Sequence, residues 1–408
     1  MNSDPMPGDG LYQELLIIPQ PNSRNLFYLF YNGVPGFVDT TYYTLIDVSL
    51  NNGLGSVVKK NCPIGAYSPG DCMVAVKHGN GRDWWVMNKL GHSSTSSNNR
   101  FYTYLVTSDS IFAPLVQDLG GATDVDFQKI VFETSGDKFM LINLRGLMAE
   151  YLFDRCSGQI TLNRIIYPEY VNHRLFWEGA YSSNGDVFYT STIQLSPMPE
   201  GYLIQYDLTS SDIPSSADTL DTFQSPIGTG AVRLAPDGKI YFSRAYECNA
   251  FPYCYPYPDS VRNLVNQNLS VINSPDIVGA GCNYQPFSFY LGGKRTYYGL
   301  PNNPNYELGP VVGSACDSLT TGTHDLVHQR SAIDLFPNPF SQKFSINFSE
   351  PKYEKGELKI VDSFGRLVFS KSIFLNNQEL DLSFLSQGVY TLFVKGKGSS
   401  FSKKIVKI

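Results

Sequence analysis

The sequence predicts an all-β chain, a β-propeller followed by a small C-terminal β-sandwich, on three observations. Residue usage favours strands and turns: aromatic residues make up 14%, with 27 Tyr and 26 Phe, and 35 Gly and 25 Pro punctuate them. One kind of turn signal, flanked by apolar or aromatic runs, returns along the body at a near-constant interval. From Ile333 onward the pattern and the charge both change.

The turn tips are "NSR" at Asn22, "NGR" at Asn80, "SGD" at Ser135, "NGD" at Asn184, "PDG" at Pro236 and "GGK" at Gly292. Successive subtraction gives spacings of 58, 55, 49, 52 and 56 residues, the period of four-stranded propeller blades. An aromatic-rich strand follows each of the first five: "NLFYLFYNG", "DWWVMNKLG", "KFMLINLRG", "DVFYTST" and "KIYFSRA". A third strand follows across a variable loop, as in "YYTLIDVSL", "FYTYLVTSD" and "GYLIQYDLTS". Each unit is therefore a meander. A lone meander cannot bury both faces, so several must stack around an axis. Six such repeats are visible. A pair of sandwiches is the alternative all-β answer, but it does not require one turn type to recur at this period.

At 408 residues, 42% of them hydrophobic, the chain is long enough for two domains with buried cores. The segment 333–408 carries eleven basic and seven acidic residues, or +4; the totals of 31 and 37 leave 20 against 30, or −10, for the rest. An acidic body without a Lys/Arg cluster excludes nucleic acid as a partner. No apolar run is long enough for a transmembrane segment. The opening "MNSDPMPGDG" lacks the basic lead and apolar stretch of a signal peptide, and reads as a missing N-terminus. Seven cysteines lie between Cys62 and Cys316. Cys62 with Cys72, and Cys248 with Cys254, would close short disulfide loops, with buried free thiols as the alternative and Cys156 lacking an obvious partner. No C-x-x-C spacing occurs.

Candidate chemistry is sparse. The histidines are His78, His92, His173, His324 and His328. None has a nucleophile or carboxylate at diagnostic spacing, and His78, just before a turn, reads as a structural imidazole. His324, Asp325 and His328 in a polar stretch read as solvated residues, so no metal site is expected. Asp124, Asp126, Asp137, Glu178 and Asp186 read as turn or loop carboxylates, although paired carboxylates could serve a glycosidase. "LNNGLGS" lacks what a phosphate loop needs, and no cofactor is expected. No catalytic residue is assigned. The best binding hint is "YECNAFPYCYPYPDS", where Tyr253, Tyr255 and Tyr257 alternate with prolines and could stack on a sugar or anchor a protein. Trp84, Trp85 and Trp177 lie in or beside core strands.

The tail reads "IDLFPNPFSQKFSINF", "GELKIVDSFGRLVFSKSI", "LSQGVYTLFVKG" and "SFSKKIVKI". Pro337 and Pro339 enforce an extended lead-in. Gly365 and Gly388 sit where turns need positive φ, giving a sandwich of about seven strands. This segment resembles the C-terminal sorting domain, type A, of the type IX (Por) secretion pathway of Bacteroidetes, through Pro337, Asn338, Pro339, Gly365, Arg366, Gly388, Tyr390, Lys403 and Lys404. The resemblance implies recognition by the outer-membrane translocon and a secreted or cell-surface destination. The body, through "LLIIPQP", "DVSLNNGLGSVVKKN", "VAVKHGNGRDWWV", "LAPDGKIYFSRA" and "LSVINSPDIVGAGCNY", resembles exported Bacteroidetes propeller proteins in which a further blade precedes the Pro-Gln-Pro segment, implying a seven-bladed parent.

The expected organisation is a propeller over 1–316, a linker over 317–332 ("DSLTTGTHDLVHQRSA" is polar and aperiodic) and the sorting domain over 333–408. The expected role is non-catalytic recognition of glycan or protein. The alternatives are an extracellular hydrolase with its site in the propeller channel, or a structural adhesin or motility-surface protein. Two or more ionisable side chains converging in one channel pocket would favour the hydrolase; a channel lined by small or apolar residues with an aromatic rim would favour binding.

Overall fold

A computed structural model of the chain describes residue 6 and residues 15–33, 40–65, 69–91, 99–120, 127–171, 174–194, 199–247, 260–317, 333–348, 355–362, 366–395 and 400–408. The chain divides into two compact units, Met1–Thr321 and Gly322–Ile408.

The first unit is built from antiparallel four-stranded meanders. Sheet 1 comprises β1 (Leu16–Pro19), β2 (Leu26–Asn32), β3 (Thr41–Asp47) and β4 (Ser56–Pro63). Sheet 2 comprises β5 (Val74–Lys77), β6 (Trp84–Lys89), β7 (Arg100–Val106) and β8 (Leu115–Asp118). Sheet 3 comprises β9 (Gln128–Phe132), β10 (Lys138–Asn143), β11 (Met148–Phe153) and β12 (Ile160–Tyr167). Sheet 4 comprises β13 (Phe176–Tyr181), β14 (Val187–Thr192), β15 (Glu200–Asp207) and β16 (Asp218–Gln224). Sheet 5 comprises β17 (Val232–Leu234), β18 (Ile240–Phe242), β19 (Asn268–Ile272) and β20 (Tyr284–Tyr290). The first strand of each sheet touches the first strand of the next, from β1 through β5, β9 and β13 to β17. This is propeller architecture: successive sheets around a common channel.

Side-chain alternation explains the stacking. Successive residues of a strand point to opposite faces, and here each face meets a different neighbour. Trp84 and Val86 join Phe30 and Ile18 of sheet 1 in one core. Trp85 and Met87, one residue along, join Phe139 and Tyr151 of sheet 3 in another. Met140 and Ile142 meet Phe188 and Tyr206 of sheet 4, and Tyr189 and Leu203 meet Val232 and Phe242 of sheet 5. Both faces of the inner sheets are therefore dry, which is why β6, β13 and β14 read as unbroken buried runs.

The first five turn tips join the first two strands of sheets 1 to 5. The sixth, at Gly292, instead lies after β20 and opens an extended segment. Among the described residues there are thus five blade sheets where six repeats were read. A turn signal marks a chain reversal, and it does not specify which strands come after it.

The second unit packs a three-stranded sheet against a four-stranded one. The former is β22 (Lys343–Phe348) between β21 (Ile333–Phe336) and β25 (Gln378–Asp381). The latter runs β24 (Leu367–Phe374), β23 (Lys355–Asp362), β26 (Gly388–Lys395), β27 (Ser400–Lys407). Phe344 and Ile346 from one sheet, and Leu358, Ile360, Leu392 and Ile405 from the other, form one core. This is the expected sandwich.

Candidate functional site

Four inner positions of the propeller form a chain of charges. Lys129 of β9 donates to Asp71, just ahead of β5, at 2.7 Å, and its Nζ lies 3.6 Å from Glu178 of β13. Arg233 of β17 donates to the other Glu178 oxygen at 2.5 Å. Sheets 2, 3, 4 and 5 thus contribute acid, base, acid and base in turn. Exposure of the side chains is 1% for Asp71 and Glu178, 3% for Lys129 and 18% for Arg233. Glu178, read from sequence as a turn or loop carboxylate, is instead a buried brace between blades; its neighbours "FWEGA" carry no sign of the cations that other sheets deliver. Asp137 and Asp186 do serve turns, accepting from Ser135 and Asn184.

Residues 298–311 form a strap along the channel. Ala231 N–H donates to the Tyr298 carbonyl at 2.7 Å. Asn302 Nδ2 donates to the Met73 carbonyl at 2.8 Å, Tyr306 to that of Ile17 at 2.7 Å and Asn305 to that of Thr134 at 3.2 Å. The buried Arg155 holds three carbonyls, of Lys77 at 2.9 Å, Ser135 at 3.1 Å and Gly309 at 2.5 Å. Beyond them Cys316 is bonded to Cys156, with a Cα–Cα distance of 5.4 Å. Gly79 lies against both sulfurs and Gly81, at φ +72°, against the backbone of Pro310, so neither position has room for a Cβ. Against the strap lies a cavity of about 1150 Å³ whose walls include Ala75, Ile130, Ala180 and Leu234, with Glu133, Arg233, Asp237 and Glu307 among its polar groups.

The cysteine expectation is corrected. Cys62 is half-buried and free, and Cys72 is buried and free. Cys72 Sγ donates to Asn88 Oδ1 at 3.4 Å, and burial pushes its thiol up to about 12. Cys62 and Cys72 thus follow the alternative of free thiols, and the bond that does form spans 160 residues. Cys248, Cys254, Tyr253, Tyr255 and Tyr257 lie outside the described residues. So do Asp124, Asp126, His92, His173, His324, Asp325, His328, Gly365 and most of the expected linker 317–332.

His78 is structural. Its Nδ1 accepts from Asn80 N–H at 3.0 Å, which leaves Nε2–H to donate to the Cys156 carbonyl at 3.1 Å. Burial lowers its pKa. Trp84, Trp85 and Trp177 are buried in the core. Lys89, also buried, has its pKa pushed down to about 8 by desolvation. Among the described residues no group of three metal-ligating side chains occurs, and no helix is long and apolar enough to cross a membrane.

In the tail, Asn338 stitches the proline lead-in to the last strand. Its side chain donates to the Lys404 carbonyl at 3.0 Å and accepts from Val406 N–H at 2.9 Å. Phe340 N–H continues the contact, donating to the Val406 carbonyl at 2.9 Å. Pro337 and Pro339 flank this stitch, and both are exposed. Arg366 pairs with Asp362 at 2.8 Å, and Tyr390 donates to the Ser386 carbonyl at 2.8 Å. Gly388 does not occupy a turn: at φ 158° it is the extended first residue of β26. Lys403 and Lys404 sit in β27 opposite Leu392 and Thr391.

Residues 334–408 match the secretion system C-terminal sorting domain family. No curated protein matches the chain. Among solved structures it is similar to the β-propeller domain of Cps50 (Swd1) from Myceliophteria thermophila, at 12% identity over 56% of this chain and 65% of that one, with a TM-score of 0.34. It thus spans less than two thirds of that domain. It is also similar to a putative 6-phosphogluconolactonase from Bacteroides fragilis (10%, covering 71% and 85%, TM-score 0.38). A third is the six-bladed fucose-recognising lectin of Aleuria aurantia (8%, covering 65% and 76%, TM-score 0.36). At such scores none bears on activity. The tail marks the chain for export by the type IX secretion system.

Proposed function

We propose that this is a Bacteroidetes protein delivered by type IX secretion to the cell surface or the medium, whose propeller recognises a glycan or a protein without transforming it. Residues 333–408 are the part the outer-membrane translocon reads, with Pro337, Asn338, Pro339, Gly365, Arg366, Gly388, Tyr390, Lys403 and Lys404 as its motif positions. The preceding propeller, through 316, is the cargo, with 317–332 as linker.

The observation that supports recognition over hydrolysis is the state of the axial carboxylates. Ionisable groups do converge on the channel, as a hydrolase would need. Yet Asp71 and Glu178 are each held by a cation and sealed from solvent, whereas a general acid or base must reach its substrate or a water. A neutral, closed chain of ion pairs is suited to bracing blades. The lining of the adjoining cavity is mostly apolar, with Glu133, Asp237 and Glu307 as its carboxylates.

The export half is tested in a host with the pathway. A reporter with a periplasmic leader and residues 333–408 should leave the cell, and the same reporter without the tail should stay in the periplasm. Equal release of both would refute it. For recognition, the full chain is applied to glycan and protein arrays. Reproducible retention by one class without turnover is expected, and turnover of any arrayed glycan would overturn the reading.

A further inference from the structure

A second concavity lies on the outer rim, between β16 of sheet 4 and β20 of sheet 5, with a volume of about 720 Å³. Its floor is Arg244, only 2% exposed. The guanidinium is caged by Phe223, Phe242 and Phe287 at 4.7, 4.9 and 5.0 Å. Its Nη2 binds both the Asp221 carboxylate and, at 2.8 Å, the Tyr284 hydroxyl, which itself donates to the same carboxylate oxygen. Arg244 Nε is buried with no hydrogen-bond partner. A caged cation with a buried, unused donor is costly for folding alone.

The wall beside it is also unusual. Phe287 sits at φ +51°, a region that bulky side chains rarely adopt. The strand pairing slips between Leu269 and Val271 at this point, and Ser270 Oγ accepts from Phe287 N–H at 3.0 Å. The bulge turns a phenyl ring toward Arg244 and the groove that they both line.

We infer that this groove between the fourth and fifth blades is a binding site for a neutral saccharide. A sugar hydroxyl can donate as well as accept, so the Asp221 and Glu200 carboxylates that line the groove suit hydroxyls of a sugar ring. The Phe287 ring and Pro286 offer an apolar surface for the C–H face of that sugar. Glu200 and Asp221 against Arg244 leave the groove net negative, which disfavours uronates and sulfated sugars. The inference rests on the reading of the propeller as a recognition module and places glycan binding on the rim, away from the channel.

The test is saturation-transfer NMR on the full chain with the methyl glycosides of glucose, galactose, mannose and fucose, and with the methyl glycoside of galacturonic acid, its carboxylate free. At least one neutral glycoside should bind, and the galacturonate should bind at least tenfold more weakly. Asp221→Asn and Phe287→Ala should each weaken the neutral ligand tenfold or more. Because Phe287 also packs on Arg244, the exposed Glu200→Gln serves as a variant that cannot unfold the blade. It should narrow the preference against galacturonate severalfold. Neutral binding unchanged in Asp221→Asn and Phe287→Ala would overturn the groove while leaving recognition intact. Binding of no neutral glycoside would also overturn it. Conversion of a glycoside to free sugar would sink the recognition reading itself.

Discussion

Reducing the Cys156–Cys316 bond should cost the propeller several kcal/mol of stability without changing its fold. The bond spans 160 residues, and in the chain-entropy account closing a loop of that length restricts the unfolded chain by about 5 kcal/mol. Measured values for such bonds more often fall near 2–4 kcal/mol, so a loss of roughly 2–5 kcal/mol is expected for Cys316→Ser. The folded state should survive, because Arg155, Asn302 and Tyr306 still hold the strap through hydrogen bonds. Urea denaturation of the parent and of Cys316→Ser, each with and without reductant, measures the loss. The reduced parent should coincide with the variant, and reductant should leave the variant unmoved. Gly79→Ala supplies an independent arm. Its new methyl would press on both sulfurs, so it should destabilise the oxidised protein more than the reduced one. A reductant effect below about 0.5 kcal/mol on the parent, or titration of all seven cysteines as free thiols in unreduced denatured protein, would refute the reasoning.

Lys129→Met would leave Asp71 and Glu178 as buried carboxylates without their shared cation. A loss of about 3–5 kcal/mol is expected, and a calorimetric scan showing an unchanged transition would count against the axial brace. Lys89 predicts a pH dependence. Its ammonium titrates near 10.5 when unfolded and about 8 when folded. Across that window the unfolded chain holds a proton the folded one has released, so stability rises with pH; the contribution is present above 10.5 and lost as pH falls through about 8. Lys89→Met lacks this penalty, so its margin over the parent should widen by roughly 3 kcal/mol between pH 10.5 and 8. Cys72 titrates in the opposite sense, but in both proteins, and cancels. A margin that stays constant across the range would remove Lys89 as the source.

Local signals were legible in the sequence, and long-range pairings were not. Asn22, Asn80, Ser135, Asn184 and Pro236 mark their hairpins because each turn is specified by its own few residues. The same signal at Gly292 misled, since the path of the chain beyond a reversal depends on distant partners: Tyr298 on Ala231, Asn302 on Met73. Cys156 looked solitary for that reason, its mate lying on a strap that must first run along the channel. Glu178 looked like a loop carboxylate because Lys129 and Arg233 reach it from other sheets. In the tail, Pro337, Asn338 and Pro339 were visible as a motif, but the stitch of Asn338 to Lys404 and Val406 required the two ends of the domain to meet. Gly388 was read as a turn glycine from its neighbours, although the reversal falls ahead of it.

The alternation of sign from Asp71 to Lys129 to Glu178 to Arg233 also restricts how such a protein can grow. Duplicating any one of these sheets would set two like charges side by side in a dry interior, whereas copying two adjacent sheets together preserves the sequence of signs. Enlargement of this ring through its middle should therefore proceed in steps of two, with the axial residues acting as a parity check on every insertion.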